Sequence, residues 1–306
     1  MKKIPLGRSD LLVPEIGVGM MRIAEMSTEE AAAWITWCCE HGLNFFDHAD
    51  IYGGGQCEAI FGKAWRQTGL KREQLIIQSK CGIVPGKMYD FSKDHILMSV
   101  NESLERLQTD YLDVLVLHRP DALMEPEEVA EAFQILYQAG SVRHFGVSNF
   151  RPGQIELLQK HLPFPLLCDQ MQLSVANSWL IQQDLEANMP TDGAPDRDGG
   201  LLAYCRLHDI TIQAWSPLQF GNWEGTFLNS PKYDKLNATL KELAEKYEVA
   251  PASIAIAWIL RHPAHMQVIT GTTKPKHMEE MLKGAAIQLS REEWYRLYMD
   301  AGHILP

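Results

Sequence analysis

Short apolar runs rich in β-branched residues alternate along the chain with longer amphipathic stretches. The runs fall at 16–20, 43–46, 75–78, 114–117, 144–147, 166–170, 210–215 and 267–270, which makes eight candidate strands. Between them the apolar spacing is helical, with recognisable start and stop signals. Ser27 and Glu30 form a capping-box pair ahead of a helix over 31–41, and Ser290 with Glu293 repeats it before a final helix. Pro126 suits the first turn of a helix over 127–138, and Gly140 suits its end. Further helices are predicted over 232–247 and 252–261.

Repeated strand-then-helix units imply a parallel sheet with helices outside. Eight units in about 250 residues match a closed (β/α)8 TIM barrel, so an α/β barrel of one domain over 1–306 is expected. The rival is an open doubly wound sheet. Its nucleotide-binding form needs G-x-G-x-x-G after the first strand, and Gly17-Val18-Gly19-Met20-Met21-Arg22 lacks the third glycine. Residues 188–200 are polar and turn-rich and read as a loop on the barrel. The residues before Ile16 are expected to form a small hairpin closing the barrel bottom.

Charge and cysteine content narrow the setting. The net charge of −11 argues against nucleic-acid and anionic-membrane partners. The six cysteines include no C-x-x-C pair and are expected to be free thiols. Pro5, Arg8 and Asp10 interrupt any apolar leader, and no apolar stretch is long enough to span a bilayer, so a cytoplasmic protein is expected.

Polar, reactive side chains stand where the candidate strands end. In order they are Asp47 with Asp50 and Tyr52, Lys80, His118, Ser148 with Asn149, Gln170, Trp215 with Ser216, and Gly271 with Thr272 and Thr273. In a (β/α)8 barrel these ends converge on the active-site face. Tyrosine is a weak acid with a free pKa of about 10, and a nearby ammonium such as Lys80 lowers it by stabilising the anion. Asp47 would hold Lys80, and His118 would orient a carbonyl or relay a proton. This set suits carbonyl reduction, in which an acid protonates oxygen while a hydride reaches carbon. No side chain supplies a hydride, so a cofactor is required.

The segments FFDHADIYGGGQCE, IIQSKCG, DVLVLHRPD, VRHFGVSNF, DQMQLS, QAWSPLQFG and AIAWILR, in that order over nearly the whole chain, resemble the aldo-keto reductase superfamily, and within it a branch of bacterial oxidoreductases. The resemblance implies that Asp47, Tyr52, Lys80 and His118 are a catalytic tetrad. It implies that Ser148, Asn149 and Gln170 hold a nicotinamide carboxamide and that Trp215 stacks on the ring. Gly19, Met20, Ser216, Pro217, Leu218 and Gln219 would also meet the cofactor. Gly271, Thr272, Thr273, Lys274, His277 and Glu280 would lie around the adenosine phosphate. The pattern often has arginine where His277 stands, asparagine where Met281 stands and asparagine in place of Asp169, so Lys274 would carry more of the 2′-phosphate recognition. The expected function is NADP(H)-dependent reduction of a small-molecule aldehyde or ketone, with NAD a weaker cofactor. The alternative is a nicotinamide-binding regulatory or sensor subunit with little turnover. Loops 84–91, 174–200 and 220–231 carry no readable substrate code. Oligomeric state is equally unreadable, and a monomer is compatible with the sequence.

Other motifs compete weakly. Tyr89 and Lys93 have the Tyr-x3-Lys spacing of short-chain dehydrogenases without the glycine-rich opening. His48 and Asp50 lack the further ligands a metal site needs, so no metal is expected. Gly53-Gly54-Gly55 is not followed by Lys-Ser/Thr and reads as a flexible turn. Met20 and Met21 suit strand-end packing as well as a pocket wall.

Overall fold

The computed structural model describes residues 1–221 and 224–305; of the 220–231 loop, Asn222 and Trp223 lie outside the described residues, as does Pro306 at the end of the chain. All eight apolar runs form strands, and their backbone groups pair in parallel ladders that close on themselves. An antiparallel hairpin of β1 (Lys3–Pro5) and β2 (Leu12–Pro14) comes first. The barrel follows as β3 (Ile16–Gly19), β4 (Phe45–Asp47) and β5 (Ile76–Cys81). After a second small hairpin, β6 (Ile83–Val84) with β7 (Met88–Tyr89), it continues through β8 (Leu112–Leu117) and β9 (Val142–Ser148). It ends with β10 (Leu166–Gln172), β11 (Thr211–Trp215) and β12 (Gln267–Thr270), and β12 pairs back onto β3.

Helices cover the outside: α1 (Thr28–Glu40), α2 (Gln56–Gln67), α3 (Lys93–Leu107), α4 (Pro126–Gln138), α5 (Pro152–Gln159), α6 (Trp179–Leu185), α7 (Leu201–Leu207), α8 (Asp234–Lys246), α9 (Pro251–Leu260), α10 (Pro275–Gly284) and α11 (Arg291–Asp300). Both expected capping boxes form. Ser27 and Glu30 exchange bonds at the start of α1, and Ser290 and Glu293 do so at α11. Each satisfies two amides that the first helical turn leaves without partners. Two of the differences from the sequence reading bear on the site. Strand β5 continues past the expected end at 78 to Cys81, so Lys80 lies within it. Helix α6 lies within the stretch read as loop.

Two apolar layers hold the barrel. One lies between strands and helices. The other fills the barrel floor, where Ile4, Leu6 and Val13 of the N-terminal segment pack on Phe45, Ile76, Val114, Val116, Leu167 and Ile269. The hairpin thus plugs the end away from the reactive strand termini. Gly7 shows how closely it presses: its φ is +53°, and a Cβ there would come within 2.5 Å of the Leu167 carbonyl oxygen. Among the described residues no helix is long and apolar enough to cross a membrane.

Candidate functional site

The C-terminal strand ends open into a cavity of about 780 Å³. Its floor holds Tyr52, on the turn after β4. Tyr52 N–H donates to the Ala49 carbonyl at 3.1 Å, and Gly53, Gly54 and Gly55 follow with φ of +59°, +63° and +89°. Residues with side chains resist three successive left-handed conformations, so this glycine run lets the chain turn straight from the tyrosine into α2.

Beneath Tyr52, Lys80 enters from β5 with no solvent exposure. Its Nζ lies 2.8 Å from the Asp47 carboxylate, 2.8 Å from the His48 carbonyl oxygen and 3.1 Å from the Tyr52 hydroxyl. An ammonium has three N–H donors, and here each has an acceptor. Asp47 Oδ1 also accepts from Gln78 Nε2 at 2.6 Å and Gln170 Nε2 at 3.2 Å. His118 closes the floor with its ring edge-on to Tyr52, centroids 5.9 Å apart.

The electrostatics follow from burial and from these neighbours. Burial opposes the Lys80 charge, but Asp47 and Tyr52 outweigh it and hold the pKa above the usual lysine value. Burial raises the Tyr52 pKa, and the opposing pull of Lys80 does not fully offset it. This corrects the expectation of a lowered tyrosine: Lys80 acts in the expected direction, yet desolvation of a phenolate is the larger effect. His118 is held well below the ordinary histidine range by burial, then by Lys80 and Arg119. Its Nδ1 is buried without a hydrogen-bond partner. The floor therefore combines a neutral phenol, a permanent ammonium and a neutral imidazole.

The cavity runs from this floor along β9–β12 to α10. Gly19, Ser148, Asn149, Gln170, Trp215, Ser216, Pro217, Leu218, Gln219, Gly271, Thr272, His277 and Glu280 all line it. Met20, Thr273 and Lys274 do not. Met20 is a correction: it is fully buried in the core, and Met21 lines the cavity instead. Lys274 is exposed at the N-cap of α10. Gln170 turns its amide nitrogen down to Asp47 and Gln213. Ser148 Oγ donates to the Gln170 carbonyl oxygen at 2.8 Å, and Asn149 Nδ2 donates to Ser148 Oγ at 2.7 Å.

Sequence reasoning missed Arg22, Ile51, Ile83, Arg119, Thr226 and Leu228 as lining residues. Arg119 directly follows His118, and that adjacency was a usable signal; Ile83 lies in the two-residue strand β6, and the others sit in turns and loops without periodicity. The competing motifs resolve structurally. Tyr89 is exposed on β7, and Lys93 opens α3 and pairs with Glu131 at 2.9 Å. His48 is fully buried edge-on to Phe61, and burial pushes its pKa down to about 3. A smaller cavity of about 300 Å³ lies by the start of β10, beside Glu156, Tyr204 and His208, away from the tetrad.

Comparison with known proteins gives the family. The profile of the aldo/keto reductase family matches residues 15–298. The uncharacterized oxidoreductase YcsN of Bacillus subtilis is 36% identical over 312 residues, covering 97% of each chain. A 6-dehydroglucose reductase of Agrobacterium fabrum is 34% identical over 310 residues, again covering 97% of each. Among solved structures, the thermostable aldo-keto reductase Tm1743, in complex with the inhibitor epalrestat, superposes with a TM-score of 0.79 at 30% identity, covering 98% of this chain and 100% of that one. A family profile that spans nearly the whole barrel, with relatives matched end to end, settles the classification: the chain belongs to the aldo/keto reductase family.

Proposed function

We propose that this oxidoreductase is a cytoplasmic NADP(H)-dependent reductase of small aldehydes or ketones. The observation that carries the reading is the Tyr52 hydroxyl at the cavity floor, 3.1 Å from a buried ammonium and beside a neutral imidazole. The cavity's lining fits a nicotinamide dinucleotide. Trp215 offers a flat aromatic wall, Ser148, Asn149 and Gln170 offer amide and hydroxyl groups, and Gln219 Oε1 is buried with no hydrogen bond of its own. Arg22 brings a guanidinium to the far end, and His277 lines it as well.

The cofactor, when bound, supplies the hydride that reaches the carbonyl carbon. Tyr52, neutral because burial raises its pKa, gives its proton to the carbonyl oxygen as that oxygen gains charge. The Lys80 ammonium stabilises the phenolate left behind, and Asp47 keeps Lys80 in place. His118, neutral, orients the carbonyl oxygen toward Tyr52. The complete tetrad favours turnover over a purely regulatory role.

The test is NADPH oxidation with a panel of aldehydes and ketones, run beside Tyr52→Phe. The parent should turn over at least one carbonyl class. The variant should bind NADPH as tightly and lose on the order of 100- to 10,000-fold in rate, the usual worth of general acid catalysis. Wild-type turnover in Tyr52→Phe would remove Tyr52 from the role.

A further inference from the structure

Four glutamines from four strands fill the barrel axis between its floor and Asp47. Gln78 comes from β5, Gln170 from β10, Gln213 from β11 and Gln267 from β12, and all are buried. Gln267 Nε2 donates to the Pro14 carbonyl at 2.9 Å. Gln213 Nε2 donates to Gln267 Oε1 at 2.9 Å and to Gln78 Oε1 at 3.1 Å. Gln213 Oε1 accepts from Gln78 Nε2 at 2.9 Å and from Gln170 Nε2 at 3.1 Å. Those same two nitrogens donate to Asp47 Oδ1.

An amide side chain has a donor end and an acceptor end, and its orientation is set by its partners. Here both ends of the chain fix the same sense. A carbonyl oxygen can only accept, so Gln267 must turn its nitrogen to Pro14 and its oxygen to Gln213. Gln213 must then donate downward and accept from above, which leaves Gln78 and Gln170 facing Asp47 with their nitrogens. An ionised carboxylate, which only accepts, requires the same arrangement from the top. An apolar barrel axis would satisfy packing equally well, so a buried, hydrogen-bonded polar chain invites a role beyond stability.

We propose that Gln213 and Gln267, which touch no member of the tetrad except through other amides, are positioning residues that hold Asp47 as an acceptor-only carboxylate and so keep Lys80 on Tyr52. The proposal rests on the reductase reading for its catalytic consequence, but the amide polarity stands independently of it.

Three variants test it, with kinetics and side-chain amide NMR run side by side. Gln267→Met removes the anchor three hydrogen bonds from Asp47. Gln213→Met removes the junction. Gln213→Glu keeps the shape and makes the junction titratable: protonated, the new carboxyl can still donate and accept, whereas ionised it only accepts and faces the oxygens of Gln78 and Gln267. In the parent, the Gln78 and Gln170 side-chain amide protons should be protected from exchange, and Gln267→Met should shift their signals. In Gln213→Met, kcat should fall by about two- to tenfold with KM within about twofold, the scale of losing one buried hydrogen bond between neutral amides. In Gln213→Glu, kcat should approach the parent at low pH and fall as pH rises, a limb the parent lacks.

A lower melting temperature with the parent's pH–rate profile in Gln213→Glu, and unchanged amide signals in Gln267→Met, would show a purely structural chain and overturn the proposal. Should Gln213→Met not fold, Gln267→Met and Gln213→Glu carry the decision. A parent that reduces no carbonyl overturns the reductase reading instead, and the amide signals then decide the chain alone.

Discussion

The Lys80 ammonium donates to the Tyr52 hydroxyl at 3.1 Å from a position closed to solvent. Such a contact does little for a neutral phenol and much for a phenolate. In water the same pair would be screened; in the barrel interior the attraction acts through a low dielectric. Burial raises the tyrosine pKa and the ammonium works against that rise, so the two effects leave an acid that keeps its proton at rest. The ammonium is then placed to help at the moment the proton leaves.

Replacing Lys80 by Met should therefore remove most of the reductase activity, and replacing Asp47 by Asn should remove less, because Asp47 reaches the phenol only through Lys80. Each change breaks a buried ion pair, at a cost of about 3–5 kcal/mol in stability, so melting curves must accompany the rates. In folded variants the pH–rate profile should move. Profiles superimposable on the parent's would show that Lys80 does not tune Tyr52.

Asp169 offers a test that needs no substrate. Its carboxylate is fully buried, and burial raises its pKa from 3.8 to about 8 against the opposing pull of the Phe150 and Asn149 backbone amides. Because the folded value is the higher one, the unfolded chain releases this proton first. The favourable contribution is complete below about pH 3.8 and is lost as pH rises toward 8. Asp169→Asn, which resembles the protonated form at every pH, should raise stability by roughly 1–3 kcal/mol near pH 8. The gain should vanish near pH 4. Denaturant melts at the two pH values check it, and an equal effect at both would refute the assignment.

The strand ends were legible because each apolar run closes on a polar residue, as at Asp47, His118 and Ser148. Interior polar positions were not. Gln213 sits in the middle of β11 and Gln267 opens β12, each next to apolar residues, and only the closed barrel shows that they meet. Several helices also escaped notice. In α2 the apolar stripe is broken by Gly62, which is glycine because a Cβ would strike the Arg106 carbonyl at 2.1 Å. In α10 the buried face consists mainly of Met278 and Met281, too sparse to read as a period. The sign of the Tyr52 shift needed burial, a property of the fold and not of the local sequence.

Arg119 should bias substrate choice. Its guanidinium lines the cavity near His118, 5.9 Å from the Trp215 ring centroid, and among the described residues no carboxylate pairs with it. A carbonyl compound carrying a carboxylate could satisfy it. Succinic semialdehyde should thus give a higher kcat/KM than butanal. Arg119→Met should lower the ratio of the two by about ten- to hundredfold, the scale of one charge-assisted hydrogen bond or ion pair. A ratio unchanged by the substitution would remove Arg119 from substrate recognition.

Cofactor choice should turn on the entry to α10. The cavity reaches Gly271, Thr272 and His277 there, while Lys274 stands exposed at the helix N-cap, just outside the lining. NADP differs from NAD by a 2′-phosphate, an anion that a lysine can pair with and that a helix N-terminus favours. NADPH should therefore bind more tightly than NADH. Lys274→Ala should narrow the gap by about 1–3 kcal/mol if the ammonium reaches the phosphate. Fluorescence titrations of NADPH and NADH with the parent and with Lys274→Ala measure that gap. Equal affinities for NADH and NADPH in the parent would overturn the NADP preference while leaving the family assignment and the geometry of the tetrad in place.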